Sequence, residues 1–196
     1  MKSTLDLDKL FAPFPILETE RLILRDLRRS DSPAMFEVFG DAQAMIYYGA
    51  DVPHKAETQT QQLIEDLLGY HERRQGVRWI ITLKAEGDRS IGSLGFYRFD
   101  DAARRCELGY ELNRRYWRKG IMTEACSRII DYGFTEVGLN RVEAATDDDN
   151  PGSQALLRKL GFQFEGCFRQ RIFYKDKYWD ENWFGLLHAD YLAAHL

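Results

Sequence analysis

The segment Tyr116-Trp117-Arg118-Lys119-Gly120-Ile121-Met122-Thr123-Glu124-Ala125 places two bases and a glycine directly before a run with helical spacing. The first turn of a helix offers unsatisfied N–H groups and the positive end of its dipole, so a loop entering one suits an anion. Gly120 permits close backbone approach, and Arg118 and Lys119 add charge. A nucleotide pyrophosphate is the group such a loop could cradle, with the N–H groups of Ile121, Met122 and Thr123 turned toward it. The bland alternative is an ordinary strand-to-helix turn with solvated bases. Downstream, Asn150-Pro151 marks a second helix start, in which Asn150 caps and Pro151 fixes the first turn.

These residues need elements to position them. Thr19–Leu27 reads as a first strand, and Ser30-Asp31-Ser32-Pro33 opens a helix that runs to about Gly40. Residues 41–53 then read as a loop. Lys55–Gln75 has the periodicity of one long amphipathic helix, and strands follow around Val77–Leu83 and Ile91–Phe99. In the fourth strand, Arg105–Leu112, alternation puts Cys106, Leu108, Tyr110 and Leu112 on one face and Glu107, Gly109 and Glu111 on the other. A helix from Ile121 to about Val137, a strand Arg141–Thr146, a helix from Asn150 to Gly161 and two strands, Phe162–Phe173 and Tyr178–His188, complete the order. Neither regular βαβ alternation nor an all-β pattern fits, so an α+β domain with a mixed central sheet is expected.

With 196 residues, one domain is expected, at 19–190, preceded by an arm at 1–18. Hydrophobic residues at 44% and charged residues at 30% are those of a globular chain, and the net charge of −4 argues against affinity built on broad phosphate neutralisation. Arg114–Lys119 has a basic and aromatic character, but it is one short run, and direct nucleic-acid binding is not expected. Cys106, Cys126 and Cys167 lack metal-ligand spacing and fit a reducing cytoplasm. Charges at Lys2, Asp6, Asp8 and Lys9 interrupt any leader-like apolar core, and no run is long enough to span a bilayer. Neither metal nor membrane is expected.

Trp117, Gly120 and Thr123-Glu124-Ala125 resemble the acyl-CoA loop of the GNAT acetyltransferases, in the form written by the RimJ/RimL-like branch. A second block agrees with it: Asn150-Pro151-Gly152-Ser153, Lys159-Leu160-Gly161-Phe162 and Glu165-Gly166 resemble the signature that this branch carries on its last helix and next strand. Met122 departs from the glycine or alanine usual at that place. The resemblance covers roughly residues 19–188, and it implies a mostly antiparallel sheet of about seven strands flanked by about four helices.

It also implies acetyl-CoA as co-substrate and an amine as acceptor. The thioester carbonyl is expected at a backbone N–H near Leu112 or Asn113, and Ser153 is the candidate acid for the departing thiolate. The tyrosine used by many relatives is replaced by Leu157. Asn150 either caps its helix or contacts the pantetheine arm. Glu107 is the candidate general base, with pairing to Arg98 or Arg105 as the alternative, because Ile172 stands where the branch has a glutamate. Tyr47, Tyr48, Tyr174 and Trp179 lie where relatives receive the acceptor, while Trp183 and Phe184 read as core. Asp147-Asp148-Asp149 reads as a solvated loop able to attract a cation. The implied acceptor is the N-terminal amine of a ribosomal protein; small-molecule amines, and a non-catalytic acyl-CoA sensor, are the alternatives. Some relatives complete their acceptor pocket with a neighbour, so a homodimer is one arrangement the resemblance allows.

Overall fold

In the computed structural model, residues 5–48 and 53–195 are described. The expected chain order holds, with three additions: a helix α1 (Asp8–Phe11), a two-residue strand β1 (Leu17–Glu18) and a terminal helix α6 (His188–His195). Between them lie β2 (Leu22–Arg25), α2 (Ser32–Phe39), α3 (Glu57–Glu72), β3 (Gly76–Leu83), β4 (Ser90–Asp100) and β5 (Arg105–Leu112). Then follow α4 (Ile121–Tyr132), β6 (Arg141–Asp147), α5 (Pro151–Lys159), β7 (Gln163–Tyr174) and β8 (Lys177–Leu187).

The sheet has eight strands in the order β1-β2-β3-β4-β5-β6-β8-β7, and β5–β6 is its parallel pair. The expected first strand, Thr19–Leu27, is shortened to β2 because the chain turns between Glu18 and Leu22, where Thr19 N–H donates to Leu22 O. The segment read as an arm belongs in part to the core: Leu5, Leu10 and Leu17 are buried there, and Trp79 Nε1 donates to Pro15 O at 2.7 Å. Four turns of α3 follow its apolar spacing, and the helix shares with α2 a second cluster built on Met35, Val38, Phe39, Ile64 and Ile80.

Alternation along the strands divides the sheet into two faces. Cys106, Leu108 and Leu112 of β5 join Ile121, Ala125, Cys126, Ile129 and Leu157 in the main core, so α4 and α5 cover one face. Glu107 and Glu111 lie on the other, the face toward α2 and α3, as the expected alternation required. Among the described residues no helix is long and apolar enough to cross a membrane.

His71 on α3 packs against the rings of Phe11 (5.1 Å) and Phe14 (5.5 Å), and its Nδ1 is buried without a hydrogen-bond partner. Burial pushes the imidazole below its ordinary range, with Glu72 opposing. The folded state therefore favours the neutral ring. That preference contributes fully above the unfolded value near ~6.5 and is lost as pH falls from there through the depressed folded value. His71→Leu is expected to flatten the fall in melting temperature below about pH 6.5. Unchanged acid sensitivity in the variant would remove His71 as its cause.

Candidate active site

The parallel strands β5 and β6 pair only at Arg105↔Arg141, Cys106↔Val142 and Glu107↔Glu143. Beyond that level β5 stays paired with β4 as far as Leu112, and β6 stays paired with β8 as far as Asp147. The two strands therefore part and leave a wedge open through the sheet. Asn113 N–H donates to Ile91 O at 2.8 Å, which fixes the alternation along β5. The backbone groups of Tyr110 and Leu112 consequently face the wedge. Of the two expected carbonyl-binding donors, only Leu112 has its N–H directed there. Asn113 instead caps the following turn, its Oδ1 accepting from Arg115 N–H.

From the end of β5 the loop is tied back on itself by Trp117, whose Nε1 donates to Leu112 O at 2.9 Å. Gly120 then caps α4 at φ 75°, a left-handed conformation that a residue with Cβ adopts at a cost. A Cβ at this position would meet only Arg21 Nη2, at 3.4 Å, so the space before the helix is open. Arg21 braces the loop: Nη1 donates to Lys119 O at 3.0 Å and Nε to Glu124 Oε2 at 2.6 Å, while the Thr19 hydroxyl and the Arg21 backbone N–H donate to Glu124 Oε1. Arg118 and Lys119 are exposed, the latter over the Tyr116 ring. Met122 turns its side chain into the core, which keeps its bulk off the N–H groups of the first turn. These residues fit a pyrophosphate.

Across the wedge, Pro151 opens α5 and Asn150 Oδ1 accepts from Ser153 N–H at 3.0 Å, so the capping reading of Asn150 is the one observed. Ser153 Oγ lies 2.7 Å from Tyr110 OH. Tyr110 is a functional candidate that sequence reasoning left on an apolar strand face. Burial raises its pKa, with the Ser153 hydrogen bond opposing, so the phenol stays protonated. Leu157 is fully buried in the core, which takes that position out of the site.

The opposite face of the wedge is polar. Glu107 pairs with Arg98 at 3.1 Å, as the structural alternative held, and it stands at the last level where the strands are joined. The mouth lies four residues further, roughly 13 Å along the strand. Glu111 is at the mouth but is held by Arg78 and Ser93. The expected aromatic residues assemble nearby. Tyr174 stacks on Trp179 with centroids 5.1 Å apart, Tyr48 meets Phe39 edge-on, and Lys175 Nζ donates to the carbonyl oxygens of Met45 and Ile46. The β7–β8 tip and the loop after α2 are thereby joined, with Tyr47 half-buried between them; Gly49 and the rest of 49–52 lie outside the described residues. Phe184 is core as expected, whereas Trp183 is only half-buried and donates to Glu181 Oε2. Asp147 corrects the solvated-loop expectation. It ends β6, is buried, and accepts from Tyr174 OH.

Among the described residues no group of His, Cys, Asp and Glu could hold a metal ion. Cys106 and Cys126 are buried with thiols pushed upward by desolvation.

Comparison with known proteins identifies the family. Residues 21–163 match the family described as Acetyltransferase (GNAT) domain. YoaA of Bacillus subtilis (strain 168), named an uncharacterized N-acetyltransferase, is 36% identical over 174 residues, 89% of this chain and 97% of its own. Spermidine N(1)-acetyltransferase of Escherichia coli (strain K12) is 27% identical over 88% of this chain and 89% of its own. The ribosomal-protein α-N-acetyltransferase RimL, solved in complex with coenzyme A, shares the fold at a TM-score of 0.78 with 21% identity, covering 88% of this chain and 98% of that one. The chain belongs to the GNAT acetyltransferases and is an acetyl-CoA-dependent acetyltransferase.

Proposed function

We propose that the protein acetylates the N-terminal α-amine of a protein, a ribosomal protein being the reference case, by direct attack in a ternary complex, as a RimJ/RimL-like enzyme. The observation that supports direct attack is the wedge itself: the cradle and Ser153 lie toward one face, and the polar mouth with Tyr47, Tyr48, Tyr174 and Trp179 opens on the other. Two substrates entering from opposite faces meet where β5 and β6 part. Covalent transfer through the enzyme needs an activated nucleophile, and the two cysteines on β5 and α4 are buried with raised pKa values.

Each residue then has one task. The first turn of α4 after Gly120, with Arg118 and Lys119, holds the pyrophosphate, and Trp117 fixes the loop to Leu112. Leu112 N–H polarises the thioester carbonyl; one such donor is worth about 10²–10³ in rate in hydrolases. Ser153 donates the proton that the departing sulfur needs, and Tyr110 OH replenishes it through the 2.7 Å contact. Ser153→Ala and Tyr110→Phe are each expected to lower kcat by about 10²-fold with acetyl-CoA affinity unchanged. The double variant should be no slower than the worse single one, since both interrupt one relay. A wild-type kcat in Ser153→Ala would remove the relay.

The preference for an α-amine follows from its proton. At neutral pH, deprotonation costs about 1 kcal/mol for an α-amine near ~8 and about 4–5 kcal/mol for a lysine-like amine near ~10.4. A small polyamine is the second reading, favoured by the run Asp147-Asp148-Asp149 and by the spermidine-acetylating relative. A competition assay with an unblocked peptide and spermidine at equal concentration separates them. Acetyl-peptide as the dominant product supports the first reading, and acetyl-spermidine overturns it.

A further inference from the structure

The polar face of the wedge carries five carboxylates on adjoining strands, and four of them have arginine partners. Glu107 pairs with Arg98, Glu111 with Arg78, Glu143 with Arg105 and Arg141, and Glu181 with Arg171. Asp147 is the exception: among the described residues it forms no ion pair, and its carboxylate accepts from the Tyr174 hydroxyl. Its position is equally distinctive. The pairing Glu107↔Glu143, continued along both strands, sets Asp147 level with Glu111 on the opposite lip of the mouth. It shares a face with its β8 partner Glu181, so its side chain lies on the acceptor side of the sheet.

We infer that Asp147 is the general base for the acceptor, with Tyr174 as the positioning residue that holds its carboxylate toward the mouth. This assignment rests on the ternary-complex reading above. The acceptor arrives as an ammonium ion, and one N–H proton passes to Asp147. The freed lone pair forms the C–N bond, the C–S bond breaks with its electron pair on sulfur, and the sulfur takes the Ser153 proton; the surplus proton of the acylated nitrogen restores the Ser153–Tyr110 pair, and Asp147 releases its own proton to solvent. Protons and electrons balance without an oxidant, a reductant or a metal.

The surroundings support a proton acceptor rather than a permanent counter-ion. Burial raises the pKa of Asp147. Tyr174 OH opposes that by hydrogen bonding, Glu181 of β8 and Asp149 of the following loop add to it, and Lys175 of the β7–β8 tip opposes it. A base raised in this way stands closer to the amine it must deprotonate and remains ionised above its own pKa. Glu107, by contrast, lies at the joined part of the strands with its charge answered by Arg98.

Asp147→Asn is isosteric and cannot take the proton. With acetyl-CoA saturating and spermidine or an unblocked peptide as the amine, its kcat should fall by about 10²-fold or more, and the acid limb of the kcat profile should vanish. With trifluoroethylamine, which is already neutral at pH 7, the same variant should run close to the wild-type rate. Tyr174→Phe should give a smaller loss, because the carboxylate remains. Acetyl-CoA titration and thermal melting of each variant report whether the cradle and fold persist. An Asp147→Asn enzyme as fast as wild type on spermidine and peptide, or one equally slowed on all three amines, would overturn the assignment while leaving the transferase reading intact. Absence of thiol release by the wild type with every amine would instead sink the reading on which it rests.

Discussion

Gly120→Asp is expected to weaken acetyl-CoA binding by about 30- to 100-fold while the melting temperature stays close to that of the wild type. A carboxylate at the positive end of α4 repels the incoming pyrophosphate and competes with it for the N–H groups of the first turn, at a cost of about 2–3 kcal/mol. The strain of a Cβ at φ 75°, about 1 kcal/mol, falls on stability and not on affinity, and capping of the helix by the new carboxylate offsets it. Gly120→Asn keeps the shape without the charge and should lose about tenfold or less in affinity. Calorimetric titration reads both. Equal affinity for wild type and the Asp variant would mean that the donor does not lie on this helix.

The second large effect concerns stability. Arg78 and Glu111 form an ion pair on β3 and β5 with side-chain exposures of 17% and 3%, and Ser93 Oγ bonds to both partners. Removing one partner of such a pair leaves an unanswered charge in a place that cannot hydrate it, at a cost of about 3–5 kcal/mol. Arg78→Met should therefore lose about that much in denaturant unfolding, a large share of the roughly 5–15 kcal/mol that holds a domain together. Arg78→Met combined with Glu111→Met should recover most of it, because the penalty belongs to the broken pair. A single variant as stable as wild type would show that water reaches Glu111.

Much of this framework was legible because two periodicities are strong in the chain. Cys106, Leu108 and Leu112 alternate with Glu107 and Glu111, which set the limits and faces of β5 correctly, and Gly120 before Ile121 marked where α4 begins. Elements held by distant packing were not legible. α1 has four residues, too few to propagate a helix, and persists because Leu10 is fully buried. α6 leans on Phe134, whose ring stacks on His188 at 5.2 Å.

The site divides in the same way. The cradle is contiguous in sequence, so its letters and its geometry coincide. Tyr110 and Ser153 are 43 residues apart and meet only because α5, packed on β6 and α4, brings its first turn up to β5, which no local pattern announces. Asp147 was misread because three consecutive aspartates look solvated; β6 runs one residue beyond the expected Thr146, and pairing with Glu181 turns the first of the three inward.

The central claim is that two substrates meet in the wedge between β5 and β6 and that acetyl moves directly between them. Its most direct test follows thiol release from acetyl-CoA with an unblocked peptide, with spermidine and without amine, and identifies the product by mass. The account predicts release that depends on the amine, a product heavier by one acetyl group, and loss of both in Gly120→Asp at subsaturating acetyl-CoA. Saturable acetyl-CoA binding without amine-dependent release would contradict it and leave a domain that binds the donor without transferring it.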